Sequence, residues 1–323
     1  MNLVLRFVVV LVLFGAVPFA FGGQSGGKHP RIGFVGEQGP NAPSVEAFRQ
    51  GLRELGYVEG RNISVEYRFI HGSLEQVPMA VRELVLLKPD ILVVGGSVAA
   101  HAAKAQSKTI PVVFASIGDP VGGGFVASLR RPGGNVTGIT NLLTEIGAKQ
   151  LELLKEIVPR ATRVAVLFDP ASSQEALKRV EDAARALSIN VRAFEVHKPD
   201  QVGIAFSALV TWRANAILVL SSPVLGNSLV RLSTLSAVHR IPSIYLRKEF
   251  AEMGGLMTYG PDFSNNYRRA AIYVDKILKG ANPADLPIEQ PTQFDLVVNL
   301  GTAQAYGIEV PQTILVRATR IIQ

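Results

Sequence analysis

Asp119, Pro120 and the run Gly122–Gly124 stand directly after the apolar stretch "IPVVFAS", in the segment "IGDPVGGG". Glycines after a buried strand suit a phosphate-binding loop, because a backbone without Cβ atoms lets several N–H groups converge on an anion. A P-loop also needs Lys-Ser or Lys-Thr after its glycines, and a dinucleotide fingerprint needs spaced rather than contiguous ones. The stretch "GDPVGGGFVAS" has neither. The segment reads instead as a turn, stiffened by Pro120, that sets Asp119 at a strand end to meet a ligand donor or to cap its own helix.

Other reaction chemistry is thin. His29, His71, His101, His197 and His239 show no H-x-x-x-H or H-E-x-x-H spacing, which argues against a zinc enzyme. No G-x-S-x-G elbow is present, and no cysteine. Zero cysteines exclude disulfides, thiolate metal ligands, a cysteine nucleophile and a lipid-modified N-terminal cysteine. Helical acids such as Glu175 lie within reach of Lys178 and Arg179, as in solvated ion pairs. No catalytic residue, no metal and no cofactor is expected.

Small, hydroxyl and acidic residues remain, each just after an apolar run: Gln38 beside Glu37 and Gly39, then Gly96 with Ser97, Asp119 with Pro120, Asp169 with Ser172 and Ser173, and Ser221 with Ser222. Tyr245 ends another such run. A hydroxyl at a helix start caps the helix and leaves backbone N–H groups free for an anion. Capping alone explains any one of Ser97, Ser172 and Ser222. Their recurrence at strand ends in both halves points to a binding site.

The elements that would position them alternate. "RIGFVGE", "NISVEYRF", "PDILVVGG" and "IPVVFAS" are strand-like runs separated by helical stretches such as "SVEAFRQGLRELG". The order repeats with "TRVAVLFDP", "INVRAFEV", "NAILVLSS" and "IPSIYL", and each half closes on an Ile-Pro before its last strand, at Pro111 and Pro242. Runs such as "DILVVGG" are apolar throughout rather than alternating, the mark of strands covered on both faces. Strand–helix alternation with short linkers gives right-handed crossovers. The expected fold is α/β, two similar doubly wound parallel-sheet lobes, with ligands bound beyond the carboxyl ends of the strands.

The first residues have a different character. Arg6 precedes an apolar core from Phe7 to Val17, followed by small residues at Ala20 and Gly22 and a glycine-rich polar stretch. Residues 1–22 read as a secretory signal peptide; an uncleaved membrane anchor over Leu3–Phe21 is the alternative. The 323 residues include 33 Lys and Arg against 26 Asp and Glu, but the basic residues never form a block. Without a basic stripe no nucleic-acid partner is expected. A repressor of similar architecture would spend these positions on a helix-turn-helix, which an apolar leader displaces.

Four stretches then carry a resemblance: "RIGFVGEQGP…AFRQGLRELGYVEGRNISVEYR", "LKPDILVVGGS", "TIPVVFASIGDPVGGGFVASLRRPGGNVTGIT" and "LPIEQPTQFDLVVNLGTAQAYGIEVPQTILVRA". Over residues 31–322 the chain resembles the tryptophan/tyrosine-type substrate-binding proteins of bacterial ABC transporters, which have a type I periplasmic-binding-protein fold. The resemblance implies discontinuous lobes joined by a three-strand hinge: residues 30–139 plus 258–290, and 140–257 plus 291–323. Crossings would fall near Thr140, near Met257–Asp262 and around Gln290. Loops at Gly96–Ser97, Asp119–Pro120, Ser172–Ser173, Ser221–Ser222 and Tyr259–Asp262 would line the cleft. Where many members have Asn-Pro this chain has Asp169-Pro170, and Ser221–Ser222 replaces an Asp-Asn or Asp-Thr pair.

The implied function is capture of a small polar or amino-acid-like solute in the periplasm by a monomer, and its delivery to an inner-membrane permease. N–H groups near Ser97 and the hydroxyls of Ser172 and Ser173 would hold a carboxylate, Asp119 or Asp262 an ammonium group, and Tyr245 or Tyr259 an apolar side. A ligand sensor for a membrane receptor, or a secreted α/β enzyme, are the alternatives.

Overall fold

The computed structural model describes residues 29–36, 39–70 and 74–323. The expected signal peptide over 1–22 and the candidate Gln38 lie outside them. In the first lobe β1 (Arg31–Gly36), α1 (Pro43–Glu54), β2 (Ser64–Phe69), α2 (Val77–Leu86), β3 (Ile91–Gly95), α3 (Gly96–Gln106), β4 (Val112–Ile117) and β5 (Val136–Thr140) alternate as anticipated. The sheet order is β2-β1-β3-β4-β5 and every pairing is parallel.

The second lobe opens with α4 (Leu143–Ile157), β6 (Arg163–Phe168), α5 (Gln174–Ala186), β7 (Asn190–Glu195), α6 (Val202–Thr211) and β8 (Ala216–Val219). It continues through α7 (Pro223–Gly226), α8 (Leu229–His239), β9 (Ser243–Tyr245), α9 (Glu249–Glu252) and β10 (Met257–Pro261). Then α10 (Phe263–Leu278) returns to the first lobe, where it packs on α1, β4 and β5. Finally β11 (Phe294–Asn299), α11 (Leu300–Ala305), α12 (Gln312–Arg317) and β12 (Arg320–Ile322) finish the second sheet, ordered β12-β11-β10-β9-β8-β6-β7. Here β11 runs antiparallel to β10, while β12 lies parallel to β11.

Two-sided burial explains the strands without alternation. In β3, Ile91 and Val93 pack toward α1 and α10, while Leu92 and Val94 pack toward α2 and α3. In β6, Val164 and Val166 face α4 and α5, and Ala165 and Leu167 face α6 and α8. Each such aliphatic side chain contributes roughly 1.5–3 kcal/mol when fully buried, so both faces of each sheet hold their helices.

Three chain passages join the lobes: Thr140 to Leu143, Pro261 to Phe263, and residues 290–293. Residues 258–261, expected with the first lobe, sit in the second sheet instead. Their N–H and C=O groups find partners on β9 and β11, and Met257 is buried in the second lobe's core. The chain leaves that sheet only at Asp262.

Candidate functional site

At the edge where the strands of the first lobe end, the polar residues hold the loops in shape. Asp119 is exposed, and its Oδ1 accepts the N–H groups of Val121 (3.1 Å) and Gly122 (2.8 Å). The backbone folds back again as the Pro120 carbonyl accepts from Phe125 and Val126. A Cβ at Gly122 would collide with the Asp119 carboxylate; hence glycine follows this acid in the loop. Lys104 Nζ donates to the Gly124 carbonyl from α3, and the His101 ring lies 4.2 Å from that of Phe125. Gly96 opens α3 with φ 74°, and Ser97 beside it is exposed. Thr140 is buried: its hydroxyl lies 2.9 Å from the carbonyl oxygens of both Ile117 and Gly118.

The second lobe forms a matching edge. Buried Asp169 accepts the Ala171 N–H at Oδ1 and the Ser172 hydroxyl at Oδ2. Ser173, also buried, donates to the Ser221 carbonyl at 2.8 Å, tying two strand-end loops together. Ser222 caps α7 by accepting the Leu225 N–H at 3.0 Å. The structure thus brings Asp169, Ser172, Ser173 and Ser221 into one cluster, and of the three candidate caps only Ser222 caps a helix.

The two tyrosines lie elsewhere. Tyr245 is only 1% exposed, in the second lobe's core, edge-on to Phe250. Tyr259 stacks on Phe294, with ring centroids 5.6 Å apart, and its carbonyl accepts from Gln150 of α4. Burial pushes its phenol up from the ordinary tyrosine range.

Asp262 caps α10 by accepting the Asn265 N–H at 3.1 Å. It also lines a narrow cleft to which both lobes contribute. From the first lobe come Pro43 and Ser44 at the start of α1; from the second come Leu246, Arg247, Lys248, Glu249 and Asp295. Helix α1 has Ala42 at its N-cap and no side-chain cap bond; Pro43 carries no N–H, the N–H groups of Val45 and Glu46 donate to the Ala42 carbonyl, and Ser44 is the first-turn residue with an N–H that lines the cleft. Arg247 pairs with Glu249 at 3.6 Å and holds its guanidinium 6.0 Å from the Phe263 ring. Burial, then the negative charge of Asp262, raises the Asp295 carboxyl above the usual range; Lys248 acts in the opposite sense. Two cations and a helix N-terminus thus share a cavity with three carboxylates, one of them (Glu249) already paired with Arg247, which suits a small molecule bearing both signs of charge. Among the described residues no group of three or more His, Asp or Glu side chains is placed to hold a metal ion.

Sequence reasoning missed Ser44, Arg247, Lys248 and Asp295. Arg247 and Lys248 were within its reach, two and three residues past Tyr245 at the end of a strand. Asp295 was not, because β11 is antiparallel and so its amino end, not its carboxyl end, lies on the cleft edge.

The comparisons with known proteins agree with this fold. A family model described as ABC transporter substrate binding protein matches residues 38–322. A tyrosine-binding protein of Clostridioides difficile (strain R20291) is 24% identical over 273 residues, 83% of this chain and 78% of that protein. A conserved domain protein from Vibrio cholerae superposes with a TM-score of 0.83 at 28% identity, over 91% of this chain and 100% of that one. The ABC domain of a Streptococcus pneumoniae protein, solved in complex with L-Trp, superposes with a TM-score of 0.84 at 24% identity, over 91% and 100% of the two chains. It shares the fold.

Proposed function

Because the chain belongs to the ABC transporter substrate-binding protein family, we propose that it captures an amino-acid-like solute between its lobes outside the cytoplasmic membrane and delivers it, as a monomer, to a membrane permease. The family is one of solute-binding proteins rather than enzymes. The observation that carries the ligand class is the cleft lined by both lobes, with Arg247 and Lys248 beside Asp262 and Asp295. In this reading a ligand carboxylate meets Lys248 and Ser44 at the start of α1, while its ammonium group lies between Asp262 and Asp295. A helix N-terminus and a desolvated carboxylate each favour the opposite charge. Two relatives support the class: one is named for tyrosine, and another was solved with L-Trp. The strand-end loops at Gly96–Ser97, Asp119–Pro120 and Ser172–Ser173 are proposed to cover the rest of the ligand, held in shape by the bonds that their side chains make.

The test is a thermal-shift screen of the protein from Gln24 onward against amino acids, sugars, purines and short carboxylates. A ligand at about a hundred times its dissociation constant adds roughly 2.7 kcal/mol of stability, a rise of several degrees for a chain of this size. Aromatic amino acids are expected to give that rise, and Asp262→Ala to abolish it. A rise with a sugar or purine and none with any amino acid would overturn the assignment.

A further inference from the structure

Five described non-glycine residues have positive φ: Lys88, Leu142, Ser188, Arg213 and Arg240. Four of them follow the last turn of a helix, where a left-handed residue ordinarily ends it. Leu142 is different. It stands at the start of a helix, as the N-cap of α4, with φ 54° and ψ 26°. An N-cap ordinarily has extended backbone and a small polar side chain; the left-handed region crowds Cβ against the following carbonyl oxygen and is natural only to glycine.

The neighbours show what the conformation joins. On the first-lobe side Asn141 is fixed to the end of β4: its N–H donates to the Ile117 carbonyl at 2.7 Å and its Nδ2 to Ser116 Oγ at 2.9 Å, both side chains being buried. Thr140 is fixed beside it by Ile117 and Gly118. On the second-lobe side the Leu142 carbonyl accepts from Glu145 and Ile146 as the first bonds of α4, a helix that buries Leu151 and Leu154 in that lobe's core. Residues 140–141 are therefore anchored in one lobe and α4 in the other, with two bonds across the junction: Thr140 Oγ1 accepts the Leu142 N–H at 3.3 Å and Asn141 Oδ1 the Leu143 N–H at 3.2 Å. The other passages follow: Glu289 exchanges backbone bonds with Gly138 and Thr140, its carboxylate pairs with Arg269, and Asp262 donates its N–H to the Gln293 carbonyl.

The geometry points to Leu142 as the pivot of lobe closure, held in the left-handed region only while the lobes meet across the cleft, so that its Cβ biases the empty protein toward opening. This rests on the capture reading above. Glycine at 142 removes the bias, and alanine keeps it, because alanine also carries a Cβ.

The chain has no cysteine, so one dye pair can be placed cleanly by Arg82→Cys and Glu181→Cys, exposed positions on α2 and α5. Energy transfer in the ligand-free protein is expected to shift toward the closed separation in Leu142→Gly and to match the parent in Leu142→Ala. With a ligand found by the thermal screen, Leu142→Gly is expected to bind about tenfold more tightly, mainly through slower release, an amount set by the left-handed penalty that glycine escapes. The pivot is overturned if Leu142→Gly leaves the lobe separation unchanged, or if Leu142→Ala shifts it equally, which would mark the leucine side chain as packing only. The dye experiment needs no ligand, so a failed screen would sink the amino-acid reading and leave the pivot to be decided separately.

Discussion

At the scale of single residues, Asp295 links binding to stability. Its carboxyl is raised first by burial and then by Asp262, so the folded protein holds that proton more tightly than the unfolded chain. Stability linked to this group is therefore lost as pH rises through its raised value, and at neutral pH the charge is carried at a cost. Asp295→Asn is expected to raise the denaturation midpoint at neutral pH and to change little in acid below the ordinary carboxylate range. The same substitution is expected to weaken an ammonium ligand. A variant less stable at neutral pH would show that the charge is compensated in the folded state. Asp119 was legible as a residue at a strand end, but not the part it plays: one carboxylate oxygen is spent on Val121 and Gly122, partners fixed by the path of the loop.

At the scale of elements, β5 is the strand that leads into the first crossing, and one glycine lets it pair. Gly138 has φ 136°, and a Cβ there would strike the backbone of Phe114 on β4. Gly138→Ala is expected to destabilise by about 2 kcal/mol or more, since strained backbone and steric overlap both oppose it. Denaturant unfolding measures this, and a loss below about 0.5 kcal/mol would mean that the sheet can shift to make room. The apolar runs specified which segments became strands, because burial on both faces leaves a pattern in the chain itself. Strand direction left none: β11 reads as apolar like its neighbours yet runs the other way, and that reversal brings Asp295 to the cleft.

At the scale of the whole molecule, each lobe has its own core and only three passages connect them, so the lobes are expected to unfold at different midpoints when no ligand bridges them. Trp212 is the only tryptophan and packs near Phe194 in the second lobe, so its fluorescence follows that lobe while far-ultraviolet dichroism follows both. Without ligand the two signals are expected to give separate transitions, and with saturating ligand to converge. Superimposed curves in both conditions would mean that the crossings alone couple the lobes.

The sequence by itself determined the alternating α/β order, the two-lobe repeat, the loops at the strand ends and the absence of cysteine chemistry, since each is written in local periodicity or composition. Tertiary structure decided the rest. Tyr245 was buried in the second lobe's core, edge-on to Phe250, Asp169 and Ser173 were drawn into a hydrogen-bonded cluster with Ser172 and Ser221, and α10 was returned to the first lobe after β10 had joined the second. Those outcomes depend on which distant segments share a face, and that is fixed only when both sheets have closed around their cores.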